Sequence, residues 1–172
     1  GFGIDSTTLE PTGQLQDVVL TTTLAPPQES SQLDISVNLD KDANPTGPFL
    51  PFDPANPNTT SDFQTVTTLF DSLGGSHPAT LYFTKTGVNA WAWTATLPPA
   101  DTTTPPAAAT DPVVVQGAGT LTFDTSGSLV GMTGAPVTFE FSGGATPGQV
   151  VDLNFGPVAG VGTGDPTTQF AE

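Results

Sequence analysis

Few residues in this 172-residue chain could do chemistry. There is one histidine, His77, no cysteine, no arginine and two lysines, Lys41 and Lys85, against 17 acidic residues. A Ser-His-Asp triad needs three groups converging from separate elements. Here Ser76 and His77 are sequence neighbours following Gly74-Gly75, with Pro78 directly behind, so His77 is expected to be a surface turn histidine. With a single histidine and no thiolate, a zinc site would have to be built from carboxylates, an uncommon donor set. Glycoside hydrolysis needs a carboxyl pair with one member raised in pKa. The four glutamates, Glu10, Glu29, Glu140 and Glu172, have no surroundings that would raise one. Glu140 alternates away from Phe139 and Phe141 and is expected to face solvent.

Binding motifs are equally thin. Asp40-Lys41-Asp42-Ala43-Asn44 offers three oxygen-bearing side chains, but Lys41 interrupts them and the downstream glutamate of a calcium loop is missing. Asn58-Thr59-Thr60 matches the N-glycosylation sequon, a short pattern that chance often produces. Gly117-Ala118-Gly119 and Gly160-Val161-Gly162-Thr163-Gly164 lack the strand-to-helix context and the lysine of a phosphate loop, and read as turns or linkers. Trp91 and Trp93 share a face two residues apart. Core aromatics are the leading reading; a sugar-stacking platform, joined by Tyr82, is the alternative. The expectation is a non-enzyme with no catalytic, cofactor or metal-binding residues.

Charge sharpens this. The formal net charge is −15. Phosphate backbones and anionic membrane surfaces are recognised by Lys and Arg, so neither nucleic acid nor a membrane is an expected partner. No apolar run approaches the roughly 18 residues of a membrane helix. Absence of cysteine removes disulfides, which a core of this size does not require, so an extracellular location is compatible. The chain starts at Gly1 rather than Met, and it is expected to be a fragment or a processed product.

The elements that would position these residues are strands. Gly (19) and Pro (18) are abundant and Thr and Val frequent, the composition of short strands and turns, with helix signals nearly absent. Val18 to Leu24 forms one strand candidate, ended by Pro26-Pro27. Leu33, Ile35, Val37 and Leu39 alternate with polar residues through Asp40, predicting one continuous strand. Residues 41–62 form a long connection expected to pack down through Phe49 and Phe52. Two hairpins follow, over 65–85 and 120–130, sharing one turn signature. In each, a strand ends in Phe-Asp, at Phe70-Asp71 and Phe123-Asp124, and a glycine follows at Gly74 and Gly127. The aspartate can accept turn amides and the glycine can take a positive φ.

Thr86-Gly87-Val88-Asn89 turns into a strand over 90–96, and 97–112 is a Pro/Thr/Ala segment read as a variable excursion. Pro136–Phe141 and Val150–Phe155 complete eight or nine strands without intervening helices. That spacing predicts an antiparallel sandwich or barrel. The strand at 18–24 lacks a local partner and is expected to pair with something outside 30–156.

The order of segments resembles the outer domain of bacterial flagellar hook proteins. There a strand ending in a turn of the form Y/F-D-S-x-G-x-x-H leads into a YFxKT strand and then a tryptophan strand. Phe70-Asp71-Ser72-Leu73-Gly74-Gly75-Ser76-His77, Tyr82-Phe83-Thr84-Lys85-Thr86 and Trp91 follow that order, and Phe52-Asp53-Pro54-Ala55-Asn56-Pro57 precedes it. Gly119 to Gly127 is similar to the next hairpin, and Gly164-Asp165-Pro166-Thr167-Thr168-Gln169-Phe170-Ala171 to the return segment of the family, which often carries a T-Q-F-A-like stretch. The 97–112 segment matches nothing fixed in it.

The resemblance implies a structural subunit of the flagellar hook, an extracellular, self-assembling curved tube that joins rotor to filament and transmits torque. Its partners would be copies of itself, with hook-cap and hook–filament junction proteins. It also implies that the terminal assembly helices are missing from this chain. Residues 30–156 would be the outer all-β domain, and 1–29 together with 157–172 part of an adjoining inner β domain. The alternative is a carbohydrate-binding or adhesin-type extracellular β-sandwich.

Overall fold

The computed structural model describes residues 2–4, 11–15, 27–44, 48–158 and 169–171. In chain order the strands are β1 (Phe2–Ile4), β2 (Pro11–Leu15), β3 (Gln32–Asp34), β4 (Asn38–Asp40), β5 (Phe63–Phe70), β6 (Ser76–Gly87), β7 (Ala90–Leu97), β8 (Val114–Phe123), β9 (Leu129–Met132), β10 (Val137–Phe139), β11 (Gln149–Asn154) and β12 (Gln169–Ala171). One helical turn, α1 (Pro57–Thr60), and a 3-10 turn over Pro99–Asp101 are the only helical pieces among the described residues. The fold is all-β, as the composition predicts.

Five consecutive strands form an antiparallel meander in the order β5-β6-β7-β8-β9. Both hairpin turns close as their sequences require. Asp71 N donates to Gly75 O and Asp124 N to Ser128 O, both at 2.9 Å, while Gly74 and Gly127 take φ of +81° and +83°. Asp124 Oδ1 accepts the Ser126 and Ser128 amides and the Ser126 hydroxyl, which together hold its carboxyl below the usual range. The β6–β7 turn places Asn89 at φ +55°, a conformation its short polar side chain tolerates.

A second sheet, β10-β11-β3, lies against this meander. β10 and β11 pair antiparallel, but β11 pairs parallel to β3, and β4 pairs parallel to β12. The stretch predicted as one strand, 33–40, is therefore two. Its alternation survives, with Ile35, Val37 and Leu39 buried and Asp34, Ser36 and Asn38 exposed. The break arises because β3 and β4 take different partner strands. β1 and β2 pair with each other, with Phe2 opposite Leu15. The strand expected over 18–24 lies outside the described residues.

The core joins the two sheets through aromatics. Phe155 sits edge-on to Phe83 at 6.1 Å and tilted against Trp93 at 5.5 Å, and Phe139 stacks on Phe141 at 5.7 Å. Burying each such ring contributes on the order of 2 kcal/mol. Gly117 and Gly119, expected in a turn or linker, lie inside β8. Gly119 stands opposite Trp93 in the ladder, and Thr133 crosses over it. A glycine inside a strand here marks a close approach of backbone and indole.

Candidate functional site: a buried histidine between two carboxylates

β6 begins one residue after the Gly74-Gly75 turn, so the core-facing alternation of Phe83, Leu81 and Ala79 runs back to His77. His77 is 7% exposed, correcting its expected place in a surface turn. Strand pairing begins as soon as the turn closes, at Phe70 opposite Ser76, and this carries the next residue inward. Ser76 is exposed while His77 is buried, as alternation on a strand requires, so the two cannot act as a nucleophile and its base.

Two carboxylates hold the ring. Nε2 lies 3.0 Å from Asp71 Oδ2, and Nδ1 lies 3.0 Å from Asp101 Oδ1. Phe141 stacks on the imidazole at 4.5 Å and 21°. Asp71 is itself buried, and its Oδ1 accepts the Leu73 and Gly75 amides at 2.8 and 2.7 Å. The hydrogen bond to His77 holds the Asp71 carboxyl below its ordinary 3.8; burial opposes this and the two turn amides reinforce it. Burial pushes the His77 imidazole down, but hydrogen bonds and charge from Asp71 and Asp101 outweigh it, and the result lies above the ordinary 6.5.

Asp101 reaches the site from the segment expected to be a variable excursion. The start of that segment is fastened to the body instead. Thr103 N donates to Glu140 O at 3.0 Å, Ser142 N to Asp101 O at 3.0 Å, and Thr102 pairs with Phe141 in an isolated bridge. Glu140, expected in solvent, is half-buried, with its carboxylate accepting the Gly148 amide at 3.0 Å. Glu29 is exposed, and Glu10 and Glu172 lie outside the described residues, as does Gly160–Gly164.

The remaining candidates resolve into structure. Asp40 and Asp42 belong to a turn in which Asp40 Oδ1 accepts the Asp42 amide at 2.8 Å, and Asn44 donates to Pro48 O at 3.0 Å. Among the described residues no three His, Asp or Glu side chains converge as a metal site would require. Asn58 lies exposed on α1. Phe52 packs on Tyr82 at 5.1 Å, whereas Phe49 stays 42% exposed, so the 41–62 connection is anchored by one of its two expected aromatics. Lys85 is buried and its ammonium donates to the Lys41 carbonyl.

Trp91 and Trp93 are both fully buried, and Trp93 Nε1 donates to Thr133 O at 3.2 Å. The sugar-stacking platform is thereby overturned, since neither indole face reaches solvent. Tyr82 is buried as well. Intrinsic fluorescence should accordingly be blue-shifted and resist acrylamide quenching, with no response to added glycans. A red-shifted, readily quenched emission would contradict this packing.

The model of the family described as the flagellar basal body protein FlaE D2 domain matches residues 38–172. No curated protein sequence matches the chain. Among solved structures, the chain is similar to the 32 kDa fragment of the flagellar hook protein FlgE from Caulobacter crescentus. That likeness has a TM-score of 0.45 at 22% identity and covers 65% of this chain. The chain spans 43% of that fragment's length.

Proposed function

The chain belongs to the family of the flagellar FlaE D2 domain, and from this membership we propose that it is a non-enzymatic structural part of the bacterial flagellar hook. The observation that carries the reading is the extent of the family match, from β4 through the end of the chain. Function then lies in repeated contacts between copies of the protein in a curved extracellular tube that transmits torque from rotor to filament. Such contacts are heterologous and must shift as the tube bends. Hook-cap and hook–filament junction proteins are further proposed partners.

The division of labour proposed here makes 30–156 the outer body. Residues 1–29 with 157–172 belong to an adjoining inner domain whose remainder lies elsewhere in the full protein. The strand that enters the outer body, β3, runs parallel beside β11, the strand that leaves it. β12 pairs with β4, so one strand of the inner part is tied directly to the outer body. The His77 site supports a structural role: both ring nitrogens are engaged by carboxylates and the ring is buried.

Sedimentation velocity tests the division. This chain alone is expected to stay monomeric at tens of micromolar and at physiological salt, where its net charge of −15 opposes association. The full-length parent protein should form tubes. Tube formation by this chain alone, or a parent protein that does not assemble, would sink the proposal.

A further inference from the structure

Each ring nitrogen of His77 faces a carboxylate oxygen at 3.0 Å. A neutral imidazole carries a single N–H, so it can serve one carboxylate and must turn a lone pair toward the other. The imidazolium, with an N–H on each nitrogen, satisfies both carboxylates at once. The two carboxylates differ in what they could do once the proton leaves. The Asp71 side chain is 5% exposed and fixed by two turn amides, whereas that of Asp101 is 27% exposed and can turn to water. We propose that Asp71, His77 and Asp101 form a proton-operated latch: loss of the imidazolium proton keeps Nε2–H on Asp71 and releases Asp101 together with the 99–104 segment.

Apart from the ion pair, the segment is held by single hydrogen bonds and one isolated bridge, Thr102 to Phe141. Its other ties to the body run to the strip 140–142 and to β8: Thr103 N and Thr102 Oγ1 to Glu140 O, Ser142 N to Asp101 O, Ser142 Oγ to Ala100 O, and Gln116 Nε2 to Thr102 Oγ1 at 3.3 Å. Each is a single bond with a net worth that water can largely replace. The groups facing His77 are few. The hairpin turn brings Asp71 and the 3-10 turn brings Asp101. β5 places Leu69 opposite His77 in the ladder, with no charge. The strip 140–142 brings the Phe141 ring, and Glu140, whose carboxylate is turned to Gly148 N. β6 also carries Tyr82 and Lys85, and the Lys85 ammonium is held by the Lys41 carbonyl. Lys85 is the one other cation on these elements, and it is committed at the opposite end of β6 from His77.

The sense of the switch follows from the direction of the shift. The imidazole lies above its ordinary 6.5, so the latch is fully closed below that value and opens as pH rises through the raised one. Because this is the only histidine, its ring C2–H gives one NMR resonance whose titration reports the proton directly. Amide exchange at Thr103 and Ser142, corrected for intrinsic rates, reports the segment. Protection there should fall about tenfold per pH unit between the ordinary histidine value and that of His77. The Gly75 amide, bonded to Asp71, should keep its protection.

Asp101→Asn should hold the segment at every pH, because a carboxamide can offer Nδ1 either its oxygen or its NH₂. Should that variant fail to fold, the coincidence of the two midpoints in the unaltered chain still decides. Protection at 103 and 142 that ignores the His77 titration would overturn the latch. So would loss of protection at Gly75 first, or an Asp101→Asn chain with the unaltered chain's pH response.

Discussion

Gly119→Ala should lower the stability of the chain by about 3 kcal/mol, the upper end for an overpacked core. The added methyl would sit 1.9 Å from Thr133 O and 2.7 Å from both Thr133 C and Trp93 Cζ2. A flexible side chain could yield to it, but a backbone carbonyl held on both sides cannot. Thr133 O accepts from Trp93 Nε1, and Thr133 N donates to Thr120 O at 3.0 Å. Moving Thr133 aside would therefore strip the indole of its partner and loosen the crossing over β8. In a chain of this length the loss corresponds to a fall in melting temperature of about 6–12 °C. Gly87→Ala is the matched control: its added methyl meets only Ala90 Cβ at 3.8 Å, an ordinary contact. Thermal unfolding followed by near-UV dichroism of the tryptophans would compare the two. Equal melting temperatures for both variants would mean that Thr133 does not press on Gly119 as described.

Asp71→Ala is the second substitution with a large expected effect, again about 3 kcal/mol, the scale for removing one partner of a buried charged pair. It leaves the Leu73 and Gly75 amides without their acceptor and removes the buried partner of His77 Nε2. Asp71→Asn should cost less, since its amide oxygen can still accept the turn amides. The pH dependence of stability carries a further signature. Asp71 lies below its ordinary 3.8, so its contribution is complete above 3.8 and lost as pH falls through the lowered value. His77 lies above 6.5, so its contribution is complete below 6.5 and lost as pH rises through the raised value. Unfolding by urea should thus show a stability plateau between these two ordinary values and a decline on either side. In Asp71→Ala both declines should shrink, and the alkaline one should persist in part through Asp101. A variant with the parent's full profile would show that the pair contributes nothing to folding.

The hairpins were legible because their chemistry is local. An aspartate beside its own turn amides and a glycine free to take positive φ announce themselves within five residues, at Asp71–Gly75 and again at Asp124–Ser128. The alternation of Leu33 to Leu39 was equally plain, but nothing in it says that the chain changes partner between Asp34 and Asn38. That depends on β11 and β12, more than 110 residues away. Gly117 and Gly119 were misread because a glycine inside a strand and one in a turn look the same locally. The residues that require them, Val137, Trp93 and Thr133, meet only in the fold. The histidine site was half visible. Extending the Phe83, Leu81, Ala79 alternation back by one step puts His77 on the core face. Asp101 gave no sign, because a Pro/Thr/Ala segment carries no period from which its direction could be read.

The parallel alignment of β3 with β11 has a mechanical consequence. A pull that draws residue 30 and residue 156 apart acts along these strands, because the chain enters β3 at one end and leaves β11 at the other. The bonds across the pair, from Asp152 N to Ser31 O at one end and Ile35 N to Asn154 O at the other, are then loaded together in shear. Antiparallel neighbours pulled from a shared end would open one bond at a time, like a zip. Tension passing through this body thus meets its resistance all at once, in the one strand pair that the chain enters by and leaves from.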